Sequence, residues 1–190
     1  MKDLTDDYLD EVRDVAPESF VFLDEAGINI AMTPTHGRAP SGQRVIERRE
    51  MTRAPNVSML GFVRLGTRMQ VEIKERAHNG ATFLEWVKRV LVPHLREGDV
   101  VVMDNASIHK VRGVREAIRA VGAWLVYLPP YSPEFNPIEE GWSKVKHLLR
   151  KAKARSLDLL RAAVGDAVEA VSQQDLFGWF NHAGYRIGST

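Results

Sequence analysis

The sequence contains no cysteine among its 190 residues. This absence excludes a thiolate metal site, a cysteine nucleophile and a disulfide framework, and it fits a reducing cytoplasm. No apolar run approaches the ~20 residues of a membrane-spanning helix, and the acidic first residues lack the apolar core of a signal peptide. The sequence therefore predicts a cytoplasmic protein without a membrane span.

An excess of one charge is also missing, because 26 basic and 25 acidic residues leave a formal net charge of +1. The basic residues are concentrated in two segments, residues 38–53 and 144–155. A nearly neutral protein with local basic stripes can bind a polyanion through those stripes. The alternative is that both segments are ordinary solvated surface, and charge alone does not decide between the two.

Hydrophobic periodicity divides the chain into predicted strands and helices. Apolar runs predict strands at residues 19–23, 28–32, 56–65, 69–76, 100–103 and 124–128. Helical spacing predicts helices at residues 3–15, 81–96, 111–121, 138–153 and 157–171. Antiparallel strands followed by strand–helix alternation predict an α/β fold with a mixed sheet flanked by helices, compatible with a ribonuclease-H-like core. We expect residues 1–17 to form a linker helix and residues 18–190 to form the domain.

Two aspartates directly follow predicted buried strands. Asp24 follows residues 19–23, with a break in the strand expected at Gly27, and Asp104 follows residues 100–103. Ligands of open α/β sheets gather beyond the carboxyl ends of strands, and two nearby carboxylates repel each other until a proton or a cation relieves the repulsion. Mg²⁺ or Mn²⁺ is the natural cation for oxygen ligands. Each aspartate could instead be a turn or helix-cap residue.

A glutamate near the start of a predicted helix is the third candidate. Asn136 and Pro137 are favourable residues for a helix start, so Glu139 could be no more than a capping residue. Helical geometry places Glu139 at the edge of the buried stripe and Glu140 on the outer face, where Glu140 would pair with Lys144. Glu139 is therefore the better candidate for a site on the sheet.

Two further side chains are close to Asp104 in the sequence. Asn105 could cap the following segment or orient Asp104. His109 could line the site or approach a phosphate, and a locally satisfied histidine is the alternative. The six histidines contain no pair at the HxxxH spacing of zinc hydrolases, so the pattern does not indicate a zinc site.

Four stretches of the sequence are similar to successive motifs of one family. They are residues 22–27 (FLDEAG), 37–43 (GRAPSGQ), 102–109 (VMDNASIH) and 128–139 (LPPYSPEFNPIE), the last followed by Trp142 and Lys146. Together they resemble bacterial insertion-sequence transposases of the Tc/mariner superfamily, whose catalytic domain is the DDE superfamily endonuclease. The 34 residues between Asp104 and Glu139 are typical of that superfamily.

This resemblance implies that Asp24, Asp104 and Glu139 form a catalytic, metal-binding triad. Two Mg²⁺ or Mn²⁺ ions would be bound together with DNA, bridged by Asp24, with one ion held by Asp104 and the other by Glu139, whereas the free protein could lack them. The implied reaction is cleavage at the ends of an insertion sequence and strand transfer into target DNA, with a TA target and a homodimer assembled on DNA. Backbone contacts to DNA would come from basic residues of the two segments: Arg38, Arg44, Arg48, Arg49, Lys144, Lys146, Arg150 and Lys151.

Relatives of this type carry an N-terminal helix-turn-helix region, whereas about 17 residues precede the first predicted strand here. We therefore expect this chain to be a catalytic domain alone, which would work with an upstream helix-turn-helix product. Two alternatives stay open. One is a ribonuclease-H-like nuclease that cuts DNA without joining strands, and the other is a catalytically idle remnant that acts as a DNA-binding or dimerisation partner.

Overall fold

A five-stranded sheet is the centre of the computed structural model, which describes residues 4–34, 39–44 and 56–186. The strands are β1 (Phe20–Ile28), β2 (Val57–Val63), β3 (Gln70–Lys74), β4 (Val100–Met103) and β5 (Trp124–Tyr127). Their order across the sheet is β3-β2-β1-β4-β5. β1, β2 and β3 are antiparallel neighbours, whereas β4 is parallel to both β1 and β5. The predicted mixed sheet is therefore confirmed.

Six α-helices flank the sheet within the described ranges. They are α1 (Leu4–Val12), α2 (Gly80–Trp86), α3 (Val114–Arg119), α4 (Ile138–Ala152), α5 (Leu157–Glu169) and α6 (Gln173–His182). α2 continues as a π-helical turn (Val87–Leu91) and a 3₁₀ turn (Val92–His94). Pro93 explains the change, because it lacks a backbone N–H and its ring crowds the preceding turn. None of the described helices is long and apolar enough to cross a membrane.

The sheet is covered on both faces because side chains alternate along each strand. Phe20 and Phe22 of β1 belong to one hydrophobic core, which includes residues of α1, α4, α5 and α6. Val21 and Leu23 belong to the other, which includes residues of α2 and α3. Every second residue of β1 therefore points toward the face that carries α4.

The predicted ends of β1 are wrong. The strand does not stop at Leu23 or break at Gly27, and no second strand covers residues 28–32. Pairing with β2 continues without a gap as far as Ile28, so the ladder holds Gly27 in extended backbone opposite Ser58. A glycine weakens a strand but does not end it where the neighbouring strand continues.

Two helices also differ from the predictions. α3 begins later than residue 111, because Gly113 has a φ of 101° and interrupts the helical backbone before Val114. α6 is absent from the predicted elements, although its start has a capping box in which Ser172 and Asp175 exchange side-chain and backbone hydrogen bonds.

α1 packs against the domain next to the segment that precedes α4. The hydroxyls of Tyr8 and Tyr185 lie 2.5 Å apart, and both side chains are buried. The hydroxyl of Tyr185 donates to the carbonyl oxygen of Phe135 at 2.8 Å. The first helix is thereby connected through two tyrosines to the backbone directly before Asn136.

Candidate active site

Asp24 lies inside β1 at the point where this strand extends beyond its neighbour β4. The parallel pairing of the two strands ends at Phe22 opposite Val102, whereas the pairing with β2 continues with Asp24 opposite Gly61. The alternative that Asp24 is a turn or cap residue is therefore wrong. Because Asp24 is two residues beyond Phe22, its side chain points toward the face that carries α4.

Asp104 follows the last residue of β4 and lies in the same row of the sheet as Asp24. The parallel register pairs Phe22 with Val102, and two more residues along each strand lead to Asp24 and Asp104. Asp104 also forms a local turn, since its Oδ1 accepts the backbone N–H of Ala106 at 3.0 Å. Asp104 is therefore a turn residue and also lies beside Asp24.

Glu139 lies in the first turn of α4, which packs on the same face through Ile138 and Trp142. This helix start has no side-chain cap hydrogen bond, so the alternative that Glu139 serves in a capping box is not supported. Asn136 is 4% exposed, and its Oδ1 has no hydrogen-bond partner among the described residues.

The predicted pair between Glu140 and Lys144 is wrong. Glu140 is hydrogen-bonded to Nδ1 of His182, and Lys144 forms an ion pair with Asp175 at 2.5 Å. Both partners belong to α6, which packs along α4 and supplies closer partners than the next turn of the same helix. The Glu140 side chain is therefore held by α6.

One open cavity of about 480 Å³ brings the three predicted carboxylates together. Asp24, Asp104 and Glu139 all line it. The rest of the lining comes from two segments, one after β4 and one before α4: Asn105, Ala106, Lys110, Leu128, Pro129, Pro130, Tyr131, Ser132, Pro133 and Asn136. Lys110 is a cation within this lining that the sequence analysis did not identify.

The electrostatics of the cavity are dominated by negative charge around Asp24. Burial, followed by the charges of Glu139 and Asp104, raises the pKa of the Asp24 carboxyl to about 7. The indole Nε1 of Trp142 donates a hydrogen bond to Oδ2 of Asp24 at 3.0 Å, and this bond lowers the pKa of Asp24. Among the described residues, no positive charge contributes to the pKa of Asp24.

The indole of Trp142 reaches Asp24 because Gly61 has no side chain. A Cβ atom at Gly61 would lie 3.0 Å from Cη2 of Trp142 and 2.4 Å from the carbonyl oxygen of Gln70. From the sequence, Trp142 is one residue of a motif, and no contact with Asp24 is predicted for it. A glycine within a strand is a weak signal for such a close approach.

His109 supports Asp104 from the protein interior. It is 2% exposed, and its Nδ1 lies 2.5 Å from Oδ1 of Asp104. This contact is the largest cause of the lowered pKa of Asp104. His109 packs against the ring of Phe83 and does not line the cavity, whereas Asn105 does. Of the two further candidates, Asn105 therefore faces the cavity and His109 holds Asp104.

The residues of the cavity fit divalent cations by their chemistry. Carboxylate oxygens are the preferred ligands of Mg²⁺ and Mn²⁺, and a cation would relieve the repulsion that raises the pKa of Asp24. The unpartnered Oδ1 of Asn136 provides a further acceptor in the same lining. Within the part of the chain that the structure describes, no three acidic or histidine side chains lie close enough together to hold a metal ion by themselves. The carboxylates therefore fit a divalent cation by ligand type, and a complete site needs further oxygen ligands.

The sequence matches the family described as DDE superfamily endonuclease over residues 19–161, a range that contains all three carboxylates. The chain belongs to the DDE superfamily endonucleases. The predicted family is thus confirmed, while its bacterial origin stays a prediction. A comparison of the DDE endonuclease domain with curated proteins gave no significant match.

Solved structures of Mos1 transposase share the fold of the DDE endonuclease domain. The Mos1 paired-end complex with the left transposon end has a TM-score of 0.72 at 16% identity, and the match covers 93% of this chain and 56% of the Mos1 chain. A pre-cleavage Mos1 transpososome has a TM-score of 0.73 at 14% identity, with the same coverage. The isolated catalytic domain of Mos1 mariner transposase has a TM-score of 0.66 at 14% identity and is covered over 83% of its length. These matches confirm the predicted ribonuclease-H-like fold.

The present chain spans about half the length of the transposase chains in the two DNA complexes, 56% in each. It spans most of the isolated Mos1 catalytic domain. The shared fold is therefore that of the catalytic domain.

The predicted DNA-binding residues differ from one another in exposure and in their ion-pair partners. Arg38, Arg48 and Arg49 lie outside the described residues, and Arg44 is exposed. Lys144 is engaged by Asp175. Three basic side chains of α4 form no ion pair with any residue that the structure describes: Lys146, Arg150 and Lys151.

Proposed function

We propose that this DDE endonuclease domain is the catalytic part of a DNA transposase. It would cleave phosphodiester bonds at the ends of an insertion sequence and join the freed 3′-hydroxyl to target DNA. The observation that carries the proposal is that carboxylates from β1, from the end of β4 and from α4 line one cavity. The fold shared with the Mos1 paired-end complex and transpososome supports DNA as the substrate.

Asp24, Asp104 and Glu139 are the proposed catalytic residues, and they would hold the metal ions. When bound, Mg²⁺ or Mn²⁺ would activate a water or a 3′-hydroxyl and stabilise the charge on the leaving oxygen. Mos1 structures with Mn and with Mg support this choice of cation. We expect the ions to bind together with DNA, whose phosphates supply further oxygen ligands.

The chain's own residues position the reacting groups. Trp142 holds Asp24 on the cavity side of β1, and His109 holds Asp104 in the same row. Lys110, in the cavity lining, would neutralise part of the charge of a bound phosphate. Positioning and charge neutralisation account for most of the catalysis expected of such a site.

Two basic residues follow Glu139 along the same side of α4, and together they form a basic track: Lys146 and Arg150. Lys146 and Arg150 each lie within about 20° of Glu139 around the helix axis, at about 10 Å and 16 Å along it. Lys151 lies about 120° away, and Lys144 is compensated by Asp175. We therefore propose that Lys146 and Arg150 make the main DNA contacts of α4. Arg44, which is not part of α4, would make a further contact with DNA.

The DNA-bound form is proposed to be a homodimer that holds two element ends and inserts them at a TA target. The paired-end state of the Mos1 complex supports the pairing of two ends. Light scattering of the chain with and without end DNA would test the dimer, and sequencing of strand-transfer products would test the target.

Cleavage of labelled DNA in Mn²⁺ tests the proposed chemistry. The parent should cut, whereas Asp24→Asn, Asp104→Asn and Glu139→Gln should lose at least about 100-fold in rate, because each removes a charge needed at the reacting phosphate. The matched control is Glu140→Gln, since Glu140 is paired with His182. An inactive Glu140→Gln beside an active Glu139→Gln would contradict the assignment. A second assay with pre-cut ends separates a transposase, which joins strands, from a nuclease, which does not.

A further inference from the structure

Tyr131 is the most exposed large side chain with hydrophobic character in the described ranges, at 101%. It lines the cavity that holds the three carboxylates. A single exposed aromatic residue is common on protein surfaces. Its position at the rim of this cavity makes the exposure of Tyr131 relevant to the substrate.

The backbone of Tyr131 is in an uncommon conformation. Its φ is 58°, in the left-handed region that favours glycine. Lys153 is the other described non-glycine residue with positive φ, and it has a structural reason because it ends α4. Tyr131 ends no helix, and within the described residues nothing covers its ring. Such conformations occur preferentially at functional sites.

The segment that carries Tyr131 is anchored on both sides. Before it, the backbone N–H of Leu128 donates to the carbonyl oxygen of Met103 at 2.9 Å, directly before Asp104. After it, the carbonyl oxygen of Phe135 accepts the hydroxyl of Tyr185 at 2.8 Å, just ahead of α4. Pro129, Pro130 and Pro133 further restrict the backbone. The ring is thus presented from a fixed segment between the positions of two proposed catalytic carboxylates.

We propose that the ring of Tyr131 is a stacking platform for an unpaired nucleobase next to the phosphodiester bond held in the cavity. This inference rests on the proposed function. A nucleotide that leaves the duplex to bring its backbone into the cavity loses the stacking partners of its base. An aromatic ring on a rigid segment replaces that partner for any base, because every base has a π-face. A ring used in this way must be exposed in the free protein.

Binding of two DNA probes tests the proposal. The probes are identical labelled duplexes, one fully paired and one with unpaired bases at its end, measured in Ca²⁺ so that they stay intact. Tyr131→Gly should weaken binding of the unpaired probe by about 5- to 100-fold and change binding of the paired probe by less than about twofold. Tyr131→Phe should bind both probes like the parent. The control Trp124→Ala removes another exposed aromatic, 69% exposed and outside the cavity, and should change neither affinity.

Glycine suits a φ of 58°, so Tyr131→Gly should melt at or above the temperature of the parent. Equal binding of both probes by Tyr131→Gly and the parent would overturn the proposal. So would a change in oligomeric state without a change in base preference, because the ring would then contact another protein chain. A parent that cannot cleave DNA in Mn²⁺ would instead contradict the proposed function. The two failures are therefore distinguishable.

Discussion

The indole Nε1 of Trp142 donates a hydrogen bond of 3.0 Å to Oδ2 of Asp24. The two residues are 118 positions apart in the sequence, and their contact joins α4 to β1 at the proposed active site. The bond favours the ionised form of a carboxyl whose pKa is otherwise raised by burial and by its acidic neighbours. Trp142 is therefore proposed to be a positioning residue that keeps Asp24 both oriented and charged.

Trp142→Phe should shift the pH dependence of DNA cleavage toward higher pH. The substitution removes a donor that lowers the pKa of Asp24, so a smaller fraction of Asp24 is ionised at neutral pH. At pH 7 the rate should fall by roughly tenfold or more, because a hydrogen bond to a charged group contributes about 1.5–3 kcal/mol. Part of the loss should be recovered as the pH rises. Cleavage rates at limiting Mn²⁺ between pH 6 and pH 9 provide the measurement.

The matched control for this experiment is Trp86→Phe. Trp86 is equally buried, but it lies in the core on the other face of the sheet, and its Nε1 has no hydrogen-bond partner among the described residues. It should lose some stability and keep the pH profile of the parent. Identical profiles for the two variants would mean that the bond to Asp24 has no part in catalysis.

Asp24→Asn should stabilise the metal-free protein at neutral pH while it abolishes cleavage. The Asp24 carboxyl has an ordinary pKa of 3.8 in the unfolded chain and about 7 in the folded protein. Between these values the folded state binds more protons, so the free energy of unfolding of the parent decreases as the pH rises. Asparagine has no such dependence. It keeps an oxygen that can accept from Trp142.

Thermal unfolding in EDTA between pH 4 and pH 8 measures this effect. The stability difference between Asp24→Asn and the parent should be near zero at pH 4, grow up to about pH 7 and then remain constant. Its final size should be roughly 4 kcal/mol, since the pKa of Asp24 changes from 3.8 to about 7 on folding and one pKa unit corresponds to about 1.4 kcal/mol. A difference that does not change with pH would contradict the raised pKa of Asp24.

Gly61→Ala should impair both the fold and the proposed site. The new Cβ would lie 2.4 Å from the carbonyl oxygen of Gln70 and 3.0 Å from the Trp142 ring, so β3 or the indole must move. Overpacking of this kind costs about 1–3 kcal/mol, and a displaced indole would weaken its bond to Asp24. The matched control is Gly27→Ala in β1, where a Cβ meets nothing within 4 Å. Melting temperatures and cleavage rates of Gly61→Ala that equal those of Gly27→Ala would contradict the close packing.

Local apolar runs were sufficient to predict most of the sheet. The run before Asp104 predicts β4 with its observed ends, because four buried residues are followed at once by polar ones. The extension of β1 through Asp24 was not predictable in the same way. It depends on pairing with β2, whose residues come more than 30 positions later in the chain.

The proposed site shows the same limit. Strand ends and helical geometry brought Asp24, Asp104 and Glu139 into consideration, since these signals are local. The partner of Glu140 was predicted wrongly, because a local rule finds Lys144 one turn away but not His182, which is 42 residues away on α6. The roles of Trp142 and Gly61 also depend on packing between distant elements and were not predictable from spacing.

The basic track on α4 should control how DNA binding depends on salt. Each phosphate contact that is lost should reduce the slope of log affinity against log salt by about 0.9. We expect this reduction for Lys146→Ala and for Arg150→Ala, because both residues follow the Glu139 side of the helix. Lys151→Ala removes the same charge from another side of α4 and should leave the slope nearly unchanged. An equal reduction by all three variants would mean that α4 attracts DNA through its total charge, without a defined track.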